Sequence, residues 1–183
     1  MDKFILNKDN SILVIVDMQD KLAAVMDQKE KVILNTLHLI ETAKLFYVPM
    51  VITEQYPKGL GHTIYDIKEA LPVYQPFEKA TFDCCKEEGF LRKLKSLKRT
   101  HIILVGMETH VCVLQTCLSL LKEKYTVHIV SDAVCSRRKD DYFTGREFMR
   151  DAGAVITCTE TVLFQLLEKA GTPEFKMISN RIK

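Results

Sequence analysis

The chain has 183 residues, of which 47% are hydrophobic and 27% are charged, and it contains only 7 Gly and 5 Pro. This composition excludes collagen-like, largely disordered and linker-dominated proteins, and the length predicts a single domain over residues 1–183. The formal charge of +2 arises from 26 basic and 24 acidic residues and is too small to favour nucleic acid as a partner.

The N-terminus and the cysteines indicate where the protein works. The first ten residues carry charges before any apolar run of signal-peptide length begins. The longest apolar runs fall far short of the ~20 residues that a membrane helix needs, so we expect no membrane span and no secretion. The six cysteines form no Cys-x-x-Cys pair, which favours reduced, mostly buried thiols in a cytoplasmic protein.

Short apolar runs alternate with longer helical patterns along the whole chain, which predicts a three-layer α/β/α fold around a parallel sheet. Six strands are predicted, at 11–16, 50–53, 78–82, 101–106, 125–130 and 154–157. Helices are predicted at 32–45, 86–97, 111–121, 139–152 and 161–170. The Pro- and Gly-rich interval 57–76 is predicted to be a long surface loop that forms one wall of a pocket.

Polar side chains that follow the strands are the candidates for chemistry, because ligands of open parallel sheets bind outside the carboxyl ends of the strands. Asp17 directly follows the first strand, and Cys112 lies where the fourth strand turns into a helix. A helix N-terminus favours a thiolate and supplies N–H groups that can hold an oxyanion. Cys112 is therefore a candidate nucleophile, with a buried small core residue as the alternative. Asp17 is a candidate proton acceptor, with the cap of a turn as the alternative.

Lys79 is a third candidate, because an ammonium close to Asp17 and Cys112 would stabilise both anions, although alone it is typical of a surface lysine. Glu108, His110 and Cys112 are of metal-ligand type, but they lie in a predicted turn without a second His or Cys pair, which argues against zinc. Nucleotide-binding glycine motifs and the serine hydrolase elbow are absent. The sequence thus predicts neither a metal nor a cofactor.

Three segments resemble the signatures of the isochorismatase-like cysteine hydrolases, namely Ile15–Gln19, Phe77–Lys79 and Gly106–Val113. They occur in the family's order, and the resemblance extends to Ser131–Ala133 and Gly153–Ala154, so that it spans nearly the whole chain. The most similar branch is that of the small isochorismatase domain-containing proteins of unassigned substrate. The resemblance implies the strand order 3-2-1-4-5-6, with the first and fourth strands side by side.

The resemblance also implies roles for individual residues. Asp17 would be the general base, Lys79 its charged partner, and Cys112 the nucleophile that forms a thioester. A cis peptide bond between Met107 and Glu108 is expected, and it would aim the N–H of Glu108, together with that of Cys112, at the oxyanion.

Further residues are candidates for substrate binding: Gln19, Gln55 and His110. Gln55 lies in the stretch where the nicotinamidase branch holds its metal with histidines, so this departure removes the metal and puts nicotinamide in doubt. We expect the side-chain amide of Gln55 to contact the substrate. The alternative is that Gln55 is a loop residue with hydrogen bonds to nearby backbone. Because a thiol nucleophile also argues against isochorismate cleavage, the expected substrate is a small-molecule amide or related carbonyl C–N compound.

Two other functions compete with this interpretation. The first is a binding or scaffold protein that keeps the hydrolase fold with an idle triad, and the second is a thiol redox sensor that uses the adjacent Cys84 and Cys85. Relatives of this fold form closed oligomers, and the apolar helices at 111–121 and 161–170 predict a homo-oligomer, with burial inside the subunit as the alternative.

Overall fold

Val and Ile dominate the central strands, as expected for strands that are buried on both faces. The computed structural model describes residues 1–183. Its strands are β1 (Ser11–Val16), β2 (Met50–Gln55), β3 (Phe77–Lys79), β4 (His101–Met107), β5 (Thr126–Cys135) and β6 (Val155–Thr157). They form one parallel sheet of order β3-β2-β1-β4-β5-β6, which confirms the predicted fold class and strand order.

Helices cover both faces of this sheet. They are α1 (Asp20–Ala23), α2 (Lys29–Leu45), α3 (Pro57–Leu60), α4 (Tyr65–Ala70), α5 (Phe90–Ser96), α6 (Leu114–Lys122), α7 (Lys139–Asp151), α8 (Thr159–Leu167) and α9 (Pro173–Arg181). Short 3₁₀ turns lie at Asp2–Phe4 and Cys84–Lys86, and a π-helical turn lies at Thr109–Val113. Apolar residues of α2, α8 and α9 pack on one face, and those of α5, α6 and α7 on the other. No helix is both long enough and apolar enough to cross a membrane.

The interval 57–76 differs from its prediction as an irregular loop, because it contains α3 and α4. Pro57 occupies the first position of α3, where its missing N–H costs nothing. The C-terminal α9 was also not predicted, although Thr172 caps it by accepting a hydrogen bond from the N–H of Phe175 and is followed by Pro173.

The third strand was predicted over 78–82 but ends at Lys79, and the helix that follows begins at Phe90 rather than 86. Glu87 explains the early end of the strand, because its carboxylate accepts hydrogen bonds from the N–H groups of Ala80 and Thr81 and fixes a turn there. The fifth strand is longer than predicted and runs to Cys135.

The neighbouring central strands β1 and β4 bring two polar segments together. Val16, the last residue of β1, pairs with Gly106 of β4. Gly106 has φ +131°, and a Cβ atom there would lie 2.0 Å from the carbonyl oxygen of Val16. Only glycine allows this approach, which places Asp17 and the turn after β4 at the same edge of the sheet.

Candidate active site

Asp17 stands at the carboxyl end of β1 in a left-handed backbone conformation with φ 51°, which Asp tolerates better than most residues. Its side chain is fully buried, so its charge needs partners. Oδ1 accepts a hydrogen bond of 2.7 Å from Thr53 Oγ1, and Oδ2 accepts one of 2.6 Å from Lys79 Nζ. The carboxylate is therefore held in one orientation by two neighbouring strands.

Lys79, the last residue of β3, is buried and has an acceptor for each proton of its ammonium. Nζ donates to Asp17 Oδ2 at 2.6 Å, to Gln55 Oε1 at 2.7 Å and to the carbonyl oxygen of Thr81 at 3.3 Å. Burial alone would lower the pKa of Lys79, but the charge and hydrogen bond of Asp17, together with Cys84 and Cys112, outweigh it and the pKa is raised. The structure thus provides a permanently charged ammonium beside Asp17.

Cys112 lies in the π-helical turn after β4 and is only 5% exposed. Burial raises the pKa of its thiol, the negative charge of Asp17 raises it further, and Lys79 opposes both. The pKa of Cys112 is thus raised, whereas a helix N-terminus alone would lower it, and Cys112 rests as a neutral thiol next to an acceptor for its proton.

A cavity of about 290 Å³ opens onto Cys112. Its apolar wall contains Leu22, Val25, Leu60, Phe82 and Val111. Its polar lining consists of Lys21, Gln55, Glu108 and Arg137. The segment 57–76 contributes to the wall of this cavity through Leu60, as predicted for that segment.

Glu108 and Gln55 line this cavity, but the structure gives both side chains protein partners. Glu108 Oε2 accepts hydrogen bonds from the backbone N–H and the Nε of Arg137, at 3.0 and 3.1 Å. Gln55 is not a loop residue: it ends β2, accepts from Lys79 and donates from Nε2 to the carbonyl oxygen of Ala80 at 2.9 Å. Its amide holds the ammonium of Lys79 in place, and its contact with a substrate stays a prediction.

The other predicted binding residues do not line the cavity. Gln19 is fully buried, and its amide bonds the backbone of Gln55 and Gly61. Met107 belongs to the apolar core, although the expected cis peptide bond to Glu108 is present. His110 instead contacts Ser136, with Nδ1 2.9 Å from Ser136 Oγ.

The sequence marks Thr53 only as one of the polar residues at the end of the second strand, and the pairing of β1 with β2 places its hydroxyl on Asp17. Arg137 was missed: it stands in the basic run Arg137–Lys139, which is typical of a solvated face, yet it lines the cavity and pairs with Glu108. The extension of β5 to Cys135 brings Arg137 there, and no pattern in the sequence indicated that extension.

A second buried carboxylate, Glu54, lies one residue before Gln55 on β2. It accepts hydrogen bonds from the N–H and Oγ1 of Thr63, at 2.6 and 2.7 Å, from the hydroxyl of Tyr74 and from His62 Nδ1. Burial favours the protonated acid, but these donors outweigh it and lower the pKa of Glu54. Glu54 therefore fastens the segment 57–76 to the sheet.

No cluster of three or more His, Cys, Asp or Glu side chains is arranged to hold a metal ion. The polar groups at the carboxyl end of β1 are a carboxylate, an ammonium and a thiol. This set can accept a proton, stabilise negative charge and attack a carbonyl carbon.

The chain is similar to known proteins over most of its length. The family model described as the isochorismatase domain matches residues 11–161. The secreted isochorismatase effector Isc1 of Phytophthora sojae is 40% identical over 178 residues, which cover 95% of this chain and 85% of that protein.

Solved structures share the fold. The MAR1 ribonuclease from Caenorhabditis elegans has a TM-score of 0.91 and 38% identity, and the match covers 97% of this chain and 92% of that one. The YcaC product of Escherichia coli, described as an octameric hydrolase of unknown specificity, has a TM-score of 0.91 at 22% identity, with 97% and 90% covered.

Proposed function

Because the chain belongs to the isochorismatase family, we propose that it is a metal-independent cysteine hydrolase that cleaves a small-molecule amide or related carbonyl C–N bond. The observation that carries the proposal is the buried contact of Lys79 Nζ with Asp17 Oδ2 at 2.6 Å, beside a thiol that lines a small cavity. A buried ion pair is a weak source of stability, because the desolvation of two charges offsets their attraction. A catalytic use accounts for it better.

In the first half of the proposed reaction, Cys112 Sγ attacks the carbonyl carbon and its proton passes to Asp17. The negative oxygen that forms is held by the N–H groups of Glu108 and Cys112, the roles that the family resemblance implies. The C–N bond then breaks, the nitrogen takes the proton from Asp17, and the acyl group remains on Cys112 as a thioester. Lys79 stays charged throughout and stabilises Asp17 whenever that residue is ionised.

In the second half, Asp17 accepts a proton from water as the water oxygen attacks the thioester carbonyl. The C–S bond breaks, Cys112 recovers its proton from Asp17, and the carboxylic acid leaves. The neutral resting thiol suits this cycle, because the same carboxylate removes the proton in each half. These steps need only water in addition to the substrate and the residues named.

The test is a panel of small amides, with release of ammonia or amine measured and the protein quenched in acid for peptide mass spectrometry. We expect an acyl adduct on the peptide that contains Cys112, and loss of both turnover and adduct in Cys112→Ala and Asp17→Asn. Cys117→Ala is the matched control, because Cys117 is buried on the same face of the sheet but does not line the cavity. Turnover that survives in Cys112→Ala overturns the thioester mechanism.

The same preparation is assayed on single-stranded RNA, because the C. elegans relative is described as a ribonuclease. RNA cleavage that depends on Cys112 would replace the amide by a phosphodiester as substrate. Absence of any turnover, with an unreactive Cys112, would favour a scaffold that retains the fold.

Assembly and location are part of the proposal. We expect a homo-oligomer, by analogy with the octameric E. coli hydrolase, and light scattering that gives the mass of one chain would contradict it. All six cysteines are free, which supports a reducing, cytoplasmic location. The P. sojae relative is described as secreted, so cell fractionation has to decide.

A further inference from the structure

The turn that carries Cys112 has little local support. It is a π-helical turn of five residues, a rare geometry that occurs mostly at functional sites. Its N-cap residue, Glu108, makes no side-chain capping hydrogen bond, and the hydroxyl of Thr109 is buried without a partner. Beyond its backbone hydrogen bonds, support for the position of Cys112 therefore comes from outside the turn.

Helix α7 lies directly against the backbone of this turn at Gly145. A Cβ atom on Gly145 would lie 2.8 Å from the Cα of His110, a distance that real Cβ atoms essentially never show, and 3.0 Å from its backbone nitrogen. Gly145 is inside α7 with ordinary helical backbone, where glycine disfavours the helix relative to alanine. Close approach, and not backbone freedom, is the reason for glycine here.

The side chain of His110 also contacts α7 and the residues that precede it. Its Nδ1 lies 2.9 Å from Ser136 Oγ, just before α7, and its Nε2 lies 3.8 Å from Asp141 Oδ2 in the first turn of α7. Both ring nitrogens thus face α7 or the segment that leads into it. His110, two positions before Cys112, is therefore held through its backbone and its side chain.

We infer that α7, through Gly145, sets the distance between Cys112 and Asp17, so that Gly145 is a positioning residue for the nucleophile. Asp17 is held by Thr53 and Lys79, which lie on β2 and β3 and not on the turn. The inference deepens the proposed function and rests on it.

The experiment compares Gly145→Ala with Thr144→Ala, a neighbouring exposed position on α7. Cys112 is alkylated with iodoacetamide, and Cys158 serves as the internal reference. We expect Gly145→Ala to slow labelling of Cys112 by about 10- to 100-fold, as misplacement of a reacting group does, and Thr144→Ala to leave it unchanged. The added methyl must displace His110, so amide hydrogen exchange at residues 109–113 should also rise in Gly145→Ala alone.

Ser136→Ala covers the case in which Gly145→Ala does not fold, because it removes a partner of His110 without adding an atom. We expect a smaller change of both readouts in the same direction. Folded Gly145→Ala with unchanged labelling and exchange overturns the inference, and so does unchanged Ser136→Ala if Gly145→Ala does not fold. The proposed function fails by a separate result, turnover of an amide that survives in Cys112→Ala, and hydrogen exchange at residues 109–113 alone then decides the positioning role.

Discussion

The negative charge of Asp17 disfavours the thiolate form of Cys112 in the resting protein. The buried thiol is kept protonated by desolvation and by the adjacent carboxylate, whereas Lys79 favours the thiolate. The carboxylate that discourages the thiolate is also the group proposed to take the proton. Reactivity at this site is therefore coupled to proton transfer and does not require a thiolate that exists beforehand.

Asp17→Asn should lower the pKa of the Cys112 thiol while it abolishes turnover. The substitution removes the negative charge that raises the pKa and leaves Lys79, which lowers it. The pKa is measured from the ultraviolet absorbance of the thiolate, with Asp17→Asn/Cys112→Ala as the blank. An unchanged or higher pKa would contradict the electrostatic account.

Lys79→Met should destabilise the protein strongly, because it leaves the carboxylate of Asp17 buried without its cation. Breaking a buried ion pair in this way costs about 3–5 kcal/mol. Asp17→Asn/Lys79→Met should lose less unfolding free energy than the sum of the two single variants, since it removes both charges. Urea unfolding measures all three, and strict additivity would show that the pair is not coupled.

At the scale of elements, Glu54 connects β2 to the segment that contains α3 and α4. Glu54→Gln should lower the unfolding free energy by about 1–3 kcal/mol, because it weakens several charge-assisted hydrogen bonds to a buried group. Limited proteolysis should become faster between 57 and 76, where Leu60 contributes to the cavity wall. Glu69→Gln on exposed α4 is the control, and equal proteolysis of the two variants would refute the role of Glu54.

The sequence predicted the helices and strands best where the apolar pattern runs over many residues. The buried strands and the helices over 32–45 and 139–152 were located to within a few residues, because their apolar patterns are strong. The partners around Lys79 were not predictable, since Gln55 and Thr81 meet the ammonium only after β2 and β3 pair. The helix α9 carried a usable signal in Thr172 and Pro173, a cap followed by proline at the first helical position.

At the scale of the whole molecule, the two ends of the sheet differ in chemistry. The charged site occupies the carboxyl ends of the strands, whereas His101 and His128 lie toward the amino ends of β4 and β5, with ring centroids 5.9 Å apart. Burial, and then the neighbouring His101, lower the pKa of His128 to about 4. His128 is therefore a neutral core residue whose protonation opposes folding.

Stability should fall in mild acid because of His128. Its pKa is about 4 in the folded protein and near the ordinary 6.5 in the unfolded chain, so the unfolded chain binds the extra proton in between. The unfolding free energy should decrease as pH falls through 6.5 and level off near 4, by on the order of 3 kcal/mol. Urea unfolding of His128→Gln should lack this slope, while His62→Gln, at an exposed histidine, should keep it.

The strand that carries Lys79 is the three-residue β3 at the open edge of the sheet, paired on one side only. Short edge strands detach by local opening long before a domain unfolds globally. Fraying of β3 would remove the ammonium from Asp17 while both apolar clusters on β1 and β4 stay packed. The temperature at which activity is lost is therefore set by the pairing of β2 with the three residues of β3. We expect inactivation at a lower temperature than global unfolding.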